Sequence, residues 1–292
     1  MTATKLTEGR GLRARLADSR RYAGSIGKHG FLITYTLIVL GPIALIFMDS
    51  FKSRTALFTD PVGLPIGDSF STIGYETVFA SGNILVHFYN SMFVTVGTLA
   101  LVLLSGSMAA YALGTSRFRG NRLISLYLFV GIMIPIRLGT VSVLQMMSSL
   151  GLINTLPALV LVYTAQSLPI AAFVLTQFMR EVPRELMDAA RADGASYYRI
   201  YRLLLPLVAP GMATAAALTL IPVWNDLWWP LILAPGTDTQ TMTLWAQQFL
   251  GEYTQDWNAT LAALTMAALP AIALYALMSR QLIRGLMRGA LK

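Results

Sequence analysis

Cysteine is absent from this 292-residue chain, which excludes disulfide bonds, thiolate nucleophiles and cysteine-based metal sites. The two histidines, His29 and His87, lie far apart with no ligand pattern beside them, so no zinc site is expected. Charged residues make up only 12% of the sequence, whereas about 25% is usual in soluble domains. Because 55% of the residues are hydrophobic and the mean hydropathy is +0.60, lipid must cover part of the surface.

Long apolar stretches recur along the chain, and a bilayer core is crossed by about 20 apolar residues of helix. The longest stretch contains a breaker cluster at 148–155, where we divide it in two. The sequence therefore predicts an all-α polytopic membrane protein with a basic tail at 1–30 and one membrane domain at 31–292. Its six predicted helices cover residues 31–48, 88–113, 123–147, 156–179, 203–225 and 257–279.

The basic residues predict the orientation of these helices, because cytoplasmic flanks of membrane helices carry an excess of Lys and Arg. Nineteen of the 22 basic residues lie in one set of flanks, at 1–30, 114–122, 180–202 and 280–292. The opposite flanks hold only Lys52 and Arg54, which we expect to anchor the outer end of helix one. Both termini are therefore predicted to be cytoplasmic. The net charge of +8 reflects this topology and contacts with lipid headgroups, and no nucleic-acid partner is expected.

One predicted cytoplasmic segment, residues 181–206, is rich in both charged and apolar residues. Pro183 suits a first helical turn, and Glu185 and Asp188 follow it near the positive end of the helix dipole. Gly194 suits a helix stop, after which a second short helix is expected over 195–201. Pro206 is interpreted as the entry to helix five. A segment of this length and mixed polarity is typical of one that docks on another protein rather than of a simple connection.

This segment resembles the EAA loop of binding-protein-dependent ABC importers through Asp188-Ala-Ala-Arg-Ala-Asp-Gly-Ala195 and the following Leu205-Pro206. Further motifs make residues 31–292 similar to the smaller, six-helix permease of the maltose-type carbohydrate importers. The Trp224-Asn225 pair and the C-terminal Gly-Ala-x-Lys pattern point to the sugar branch. The other matching motifs are Asn90-Ser91, 109–113, 117–120, Ile134-Pro135, 150–155 and 285–292.

The resemblance implies that this chain is one part of a bacterial inner-membrane carbohydrate importer and is not itself an enzyme. A cleft in an ATPase subunit would receive the loop, and ATP and Mg would be bound there, since this chain has no G-x-x-x-x-G-K-[ST] phosphate loop. The implied partners are two ATPase subunits, a larger homologous permease, an extracytoplasmic solute-binding protein and the sugar. The implied loop residues are Glu185, Asp188, Ala189, Ala190, Asp193, Gly194, Leu205 and Pro206. The family's usual first acid is Glu, so Asp188 and Glu185 remain alternatives for it.

Four residues in the spans are candidates for the substrate pathway: Arg137, Gln145, Trp224 and Asn225. Arg137 is the one basic residue inside a predicted span. It either lines a cavity on the substrate route, or is an interfacial residue that extends to the outer headgroups or pairs with an acid. Trp224 and Asn225 offer an aromatic face and an amide for a sugar, or else anchor the outer surface with Asp226, Trp228 and Trp229.

Alternative functions are an ABC permease for a non-sugar solute, a secondary transporter and a membrane enzyme. A secondary transporter is disfavoured because Arg137 is the only ionisable candidate in the spans for ion coupling. No convergent set of catalytic side chains is visible for an enzyme, and no metal site is predicted.

Overall fold

The computed structural model describes residues 27–250 and 256–290, which leaves residues 1–26 of the predicted tail at 1–30 outside the described residues. Residues 27–30 belong to the first helix and not to a tail. Apart from one antiparallel bridge between Lys52 and Phe70, the described residues form helices and loops. The α-helices are α1 (Gly27–Asp49), α2 (Arg54–Thr59), α3 (Ile73–Ala80), α4 (Ile84–Thr115), α5 (Asn121–Met133), α6 (Thr140–Ser149), α7 (Leu156–Glu181), α8 (Arg184–Ala192), α9 (Tyr197–Leu207), α10 (Ala209–Asn225), α11 (Trp228–Leu233), α12 (Met242–Ala246) and α13 (Trp257–Ala290).

The all-α polytopic membrane fold predicted from the sequence is confirmed. Four helices are long and apolar enough to cross a membrane alone: α1, α4, α7 and the part of α13 at Trp257–Ala276. Two bent pairs, α5 with α6 and α9 with α10, bring the number of spans to six when each pair is one span.

The third and fifth predicted helices are wrong as continuous elements. The stretch 123–147 is interrupted after Met133, and the pieces Asn121–Met133 and Ile136–Ser149 meet at 85°. The break falls at Ile134-Pro135, where a proline disfavours helical backbone in the residue before it. The stretch 203–225 is also divided, because Tyr197–Leu207 and Ala209–Asn225 meet at 75°. Pro206 therefore lies inside α9 and does not begin helix five.

Close packing of α4 on α7 forms the centre of the bundle. Gly97 and Gly106 face α7, where a Cβ would lie 3.3 Å from Val160 and 3.5 Å from Ala171. Gly114 approaches more closely still, since its Cβ would lie 2.8 Å from that of Met179. Small residues let helix backbones approach in a bilayer, where packing rather than hydrophobic burial drives association.

Polar side chains fix the end of the bundle that holds α2, α3, α11 and α12. The Asn90 amide donates to the carbonyls of Asp238 and Gln240 at 2.8 and 2.9 Å. Asn154 Oδ1 accepts from the Gly236 backbone and the Thr239 hydroxyl, both at 2.7 Å. The 235–242 segment is thereby tied to the starts of α4 and α7.

Lys52, expected to anchor the outer end of helix one, contacts the last residue of α1 from inside the protein. Its side chain is 1% exposed, lies 2.7 Å from Asp49 and donates to the Asp60 carbonyl at 2.8 Å. The buried cation is satisfied by these two groups, so Lys52 is a structural residue of this end. Arg54 remains exposed and pairs with Asp256 at 3.3 Å.

Candidate functional site

Local sequence determines the shape of the segment between α7 and α10. Helix α8 begins after Pro183 with Glu185 in its first turn and ends at Ala192. Gly194, two residues later, has a φ of +74°. The backbone amides of Gly194 and Ala195 donate to Arg191 and Ala190, both at 2.9 Å, in a Schellman motif. The predicted helix stop at Gly194 is therefore present. Ser196 then caps α9 by accepting from the Arg199 amide.

One face of this helix pair packs into the bundle. Met187, Ile200 and Leu204 are buried in a core cluster with Leu175 and Met179 of α7. The Tyr201 hydroxyl lies 2.8 Å from the Ser107 hydroxyl of α4, and its ring meets Tyr111 edge-on at 5.6 Å. Apolar and hydrogen-bonded contacts therefore hold α8 and α9 against the spans.

The other face of the pair is open and combines apolar with charged groups. Leu186, Tyr197 and Tyr198 are 37%, 73% and 62% exposed. Asp188 pairs with Arg191 of its own helix at 2.8 Å, and both side chains remain well exposed. Among the predicted loop residues, the exposed ones are Glu185, Asp188, Ala189, Asp193, Gly194 and Pro206, whereas Ala190 and Leu205 are partly buried.

Arg137 belongs to a second cluster, near the opposite end of the bundle. It lies in the 3₁₀ turn Ile136–Gly139 that follows the break, with its side chain 65% exposed. Its guanidinium pairs with Asp226 at 3.3 Å and lies 5.6 Å from the ring centre of Trp228. Asp226 also accepts from the Tyr163 hydroxyl at 2.8 Å. Of the two interpretations offered above, the pairing with an acid is thus present, and the exposed guanidinium remains accessible.

The other pathway candidates differ in exposure. Trp224 is 2% exposed, and its indole donates to the Ala267 carbonyl of α13 at 3.1 Å. This overturns its predicted place on a sugar-accessible surface or as an outer anchor, because the ring fills a helix interface. Gln145 and Asn225 are exposed, and the Asn225 amide donates to the Ile221 carbonyl at 2.9 Å.

The neighbouring residues Trp228 and Trp229 also differ in exposure. Trp228 is 39% exposed, as expected of an outer anchor, but Trp229 is 1% exposed and packs in the core with Leu159 and Leu233. The Trp229 indole donates to Gln166 Oε1 at 3.0 Å, so its polar edge is satisfied inside the bundle.

Residues 102–288 match the family model described as "Binding-protein-dependent transport system inner membrane component". The chain belongs to this family. The match includes α8, α9 and both bent spans, so the segment that resembles the EAA loop lies within the shared region. As a family member, this inner membrane component is a transporter permease subunit of the ABC class.

Curated relatives align over nearly the whole of this inner membrane component. The diacetylchitobiose uptake system permease protein NgcG of Streptomyces coelicolor is 33% identical, with 96% of this chain and 92% of the relative covered. The arabinooligosaccharides transport system permease protein AraQ of Halalkalibacterium halodurans is 31% identical, with 87% and 92% covered. A crystal structure of a bacterial ABC transporter that imports the acidic polysaccharide alginate shares the fold. Its TM-score is 0.78 at 22% identity, with 90% of this chain and 97% of that chain covered.

Several residues that position the site were missed by the sequence analysis. The anchors Ile200, Leu204 and Val208 recur at intervals of four residues, which is the apolar spacing of one helix face and a signal for α9. Asp226 gave no comparable signal, because its partners Arg137 and Tyr163 come from distant parts of the chain.

Proposed function

We propose that this inner membrane component is the smaller permease of a carbohydrate ABC importer, driven through α8 and α9 by a separate ATPase subunit. The observation that carries the proposal is the two-sided helix pair. Met187, Ile200 and Leu204 hold it to the spans. The exposed residues of the opposite face are Glu185, Leu186, Asp188, Ala189, Tyr197 and Tyr198. An element fixed to the bundle on one side and open on the other is suited to transmit motion from a docked partner.

In this proposal an ABC ATPase pair, which binds ATP and Mg, docks on that open face. Exposed tyrosines and arginines, such as Tyr197, Tyr198 and Arg199, are residue types enriched at protein interfaces. In this proposal Asp188 or Glu185 supplies the acid that contacts the ATPase. Closure of the ATPase pair on ATP opens the cavity outward, and hydrolysis returns it inward.

A second, larger permease completes the pore, and an extracytoplasmic solute-binding protein delivers the sugar. Helix α1 is the observation in favour of a second permease. It is long and apolar, and none of the residues in its most apolar window is buried within this chain. Two relatives, named for diacetylchitobiose uptake and arabinooligosaccharides transport, support the proposal that the solute is a carbohydrate.

The substrate route in this proposal passes the exposed residues Arg137, Gln145 and Asn225. Guanidinium and amide groups donate hydrogen bonds to the oxygens of sugars. Trp224 has no part in this route, because it is buried between α10 and α13.

Reconstitution tests the proposal as a whole. Proteoliposomes holding this chain, the second permease and the ATPase, with binding protein outside and ATP inside, are expected to accumulate radiolabelled oligosaccharides. The panel should include diacetylchitobiose and arabino-oligosaccharides. Omission of any one protein is expected to abolish uptake. Uptake by the chain alone, or uptake driven by a proton gradient without ATP, would refute it.

A further inference from the structure

A cleft between α5 and α7 opens at the end of the bundle that carries α8 and α9. It consists of two contiguous cavities of about 370 and 610 Å³, which share the lining residues Leu113, Arg122 and Arg180. One cavity extends along the apolar faces of the helices, and the other extends toward the loop between α4 and α5.

Five arginines line the cleft, and no carboxylate lines either cavity. None of the ion pairs made within the described part of the chain involves any of the five. The Asn121 amide fixes the loop that carries two of them, because it donates to the Leu113 and Ser116 carbonyls at 3.1 and 3.0 Å. The arginines are Arg117, Arg119, Arg122, Arg180 and Arg184.

The inner part of the cleft is apolar. Leu126 and Phe129 on α5 and Phe173 on α7 are 55%, 48% and 43% exposed, and the two phenyl rings lie 6.4 Å apart. Ser125 also lines this part, and its buried hydroxyl oxygen has no hydrogen-bond partner. Helix α5 buries none of its residues, so this part of the cleft is open along the side of the bundle.

The spacing of the two parts matches an amphipathic ligand. Arg122 and Phe129, like Arg180 and Phe173, are seven residues apart on their helices, which corresponds to about 10 Å along each axis. A phosphate at the arginines would receive charge-assisted and bidentate hydrogen bonds. Acyl chains attached to that phosphate would then lie along the apolar walls.

We propose that this cleft is a binding site for an anionic phospholipid such as phosphatidylglycerol. Five cations without a matching acid favour a headgroup with net negative charge over a zwitterionic one. A soluble phosphate would leave the apolar walls unused. The proposal is independent of the ATPase and the transported solute, since it rests on the membrane location and on this chain alone.

Native mass spectrometry of the purified full chain, with equal amounts of dioleoylphosphatidylglycerol and dioleoylphosphatidylcholine, tests the proposal. The wild-type chain is expected to retain phosphatidylglycerol preferentially. The variant R122Q/R180Q is expected to lose retention roughly tenfold, because each basic residue at the headgroup level adds to the affinity. R199Q/R202Q on α9 removes the same charge outside the cleft and should retain phosphatidylglycerol as the wild type does.

Equal retention by both double variants, or equal retention of the two lipids, would overturn the proposal. Displacement by millimolar inorganic phosphate would assign the site to a soluble anion instead. Photo-cross-linking is a second measurement, and it does not require the arginine variants to fold. The photoreactive residue p-benzoylphenylalanine replaces Phe129, and native membranes that contain the protein are irradiated. Cross-linked phospholipid supports the proposal, whereas a cross-linked polypeptide would make the cleft a protein interface.

Discussion

Asp226 illustrates, at the scale of single residues, how one side chain joins three parts of the bundle. Its carboxylate pairs with Arg137 from the break after α5 and accepts from Tyr163 of α7. It also accepts from the Trp229 backbone at 3.0 Å, which places the start of α11. With 13% of its side chain exposed, Asp226 depends on these partners for the hydrogen bonds that water would otherwise supply.

The two side chains that hold Asp226 should respond differently to substitution. Tyr163→Phe removes a donor from a largely buried carboxylate, at a cost of about 1.5–3 kcal/mol. Arg137→Gln removes a mostly exposed cation, at a cost of about 1 kcal/mol or less. Thermal unfolding followed by intrinsic fluorescence should therefore show the larger loss for Tyr163→Phe. Sugar uptake should show the opposite pattern, with a raised KM for Arg137→Gln because its guanidinium faces the proposed route.

Tyr127→Phe provides the control for the unfolding measurement. Tyr127 is 79% exposed, so removal of its hydroxyl should leave the Tm unchanged. An unchanged KM in Arg137→Gln would make Arg137 a packing residue. A larger loss of Tm in that variant than in Tyr163→Phe would contradict the ranking of the two contacts.

The coupling element, at the scale of secondary structure, depends on the turn between α8 and α9. Gly194 at a φ of +74° reverses the chain so that Met187 and Ile200 enter the same core cluster. Gly82 offers a matched position at the other end of the bundle, with a φ of +72°. A Cβ added to either glycine would meet no atom within 4 Å.

The substitutions Gly194→Val and Gly82→Val should therefore cost the same in backbone strain, about 1–2 kcal/mol. Their effects on transport should differ, because only Gly194 orients the face proposed to meet the ATPase. We expect Gly194→Val to uncouple ATP hydrolysis from uptake in the reconstituted transporter, and Gly82→Val to retain coupling. Equal coupling in both variants would remove α8 and α9 from the transmission path.

Sequence predicts helices well where one apolar stretch is one helix, as α7 shows by starting at the predicted residue 156. It fails where two helices share one stretch. Hydropathy assigns Leu203 and Leu207 to the start of helix five. In the structure they lie in α9, where 45% and 53% of their surface is exposed. Hydropathy records neither the 75° bend nor the side of a helix that a residue occupies. Trp224 was misplaced for a similar reason, because burial against Ala267 depends on a helix 43 residues away.

The molecule as a whole leaves large apolar side chains exposed on its surface. Helix α1 leaves Phe31, Leu37 and Ile38 about 70% exposed, and the faces of α5 are open as well. In a bilayer, lipid or another permease covers such surfaces. The extent of the open apolar surface agrees with a subunit that is completed by assembly.

Topology is the remaining whole-molecule prediction, and the absence of cysteine makes it directly measurable. The 235–242 segment bonds to Asn154, just before α7 begins, whereas α8 follows the end of α7. The 26 residues of α7 separate these two regions by about 39 Å. The excess of basic residues around α8 predicts that this end lies in the cytoplasm. Ala192 and Thr237 are both exposed, so a cysteine at either position is accessible from its own side.

In intact spheroplasts, a membrane-impermeant maleimide should label Thr237→Cys and leave Ala192→Cys unlabelled. Permeabilised cells should give label at both positions, which controls for the reactivity of each thiol. The reversed pattern would place α8 and α9 outside the cell, away from any ATP. No cytoplasmic ATPase would then reach the coupling helices, and the proposed mechanism would fail whatever the solute.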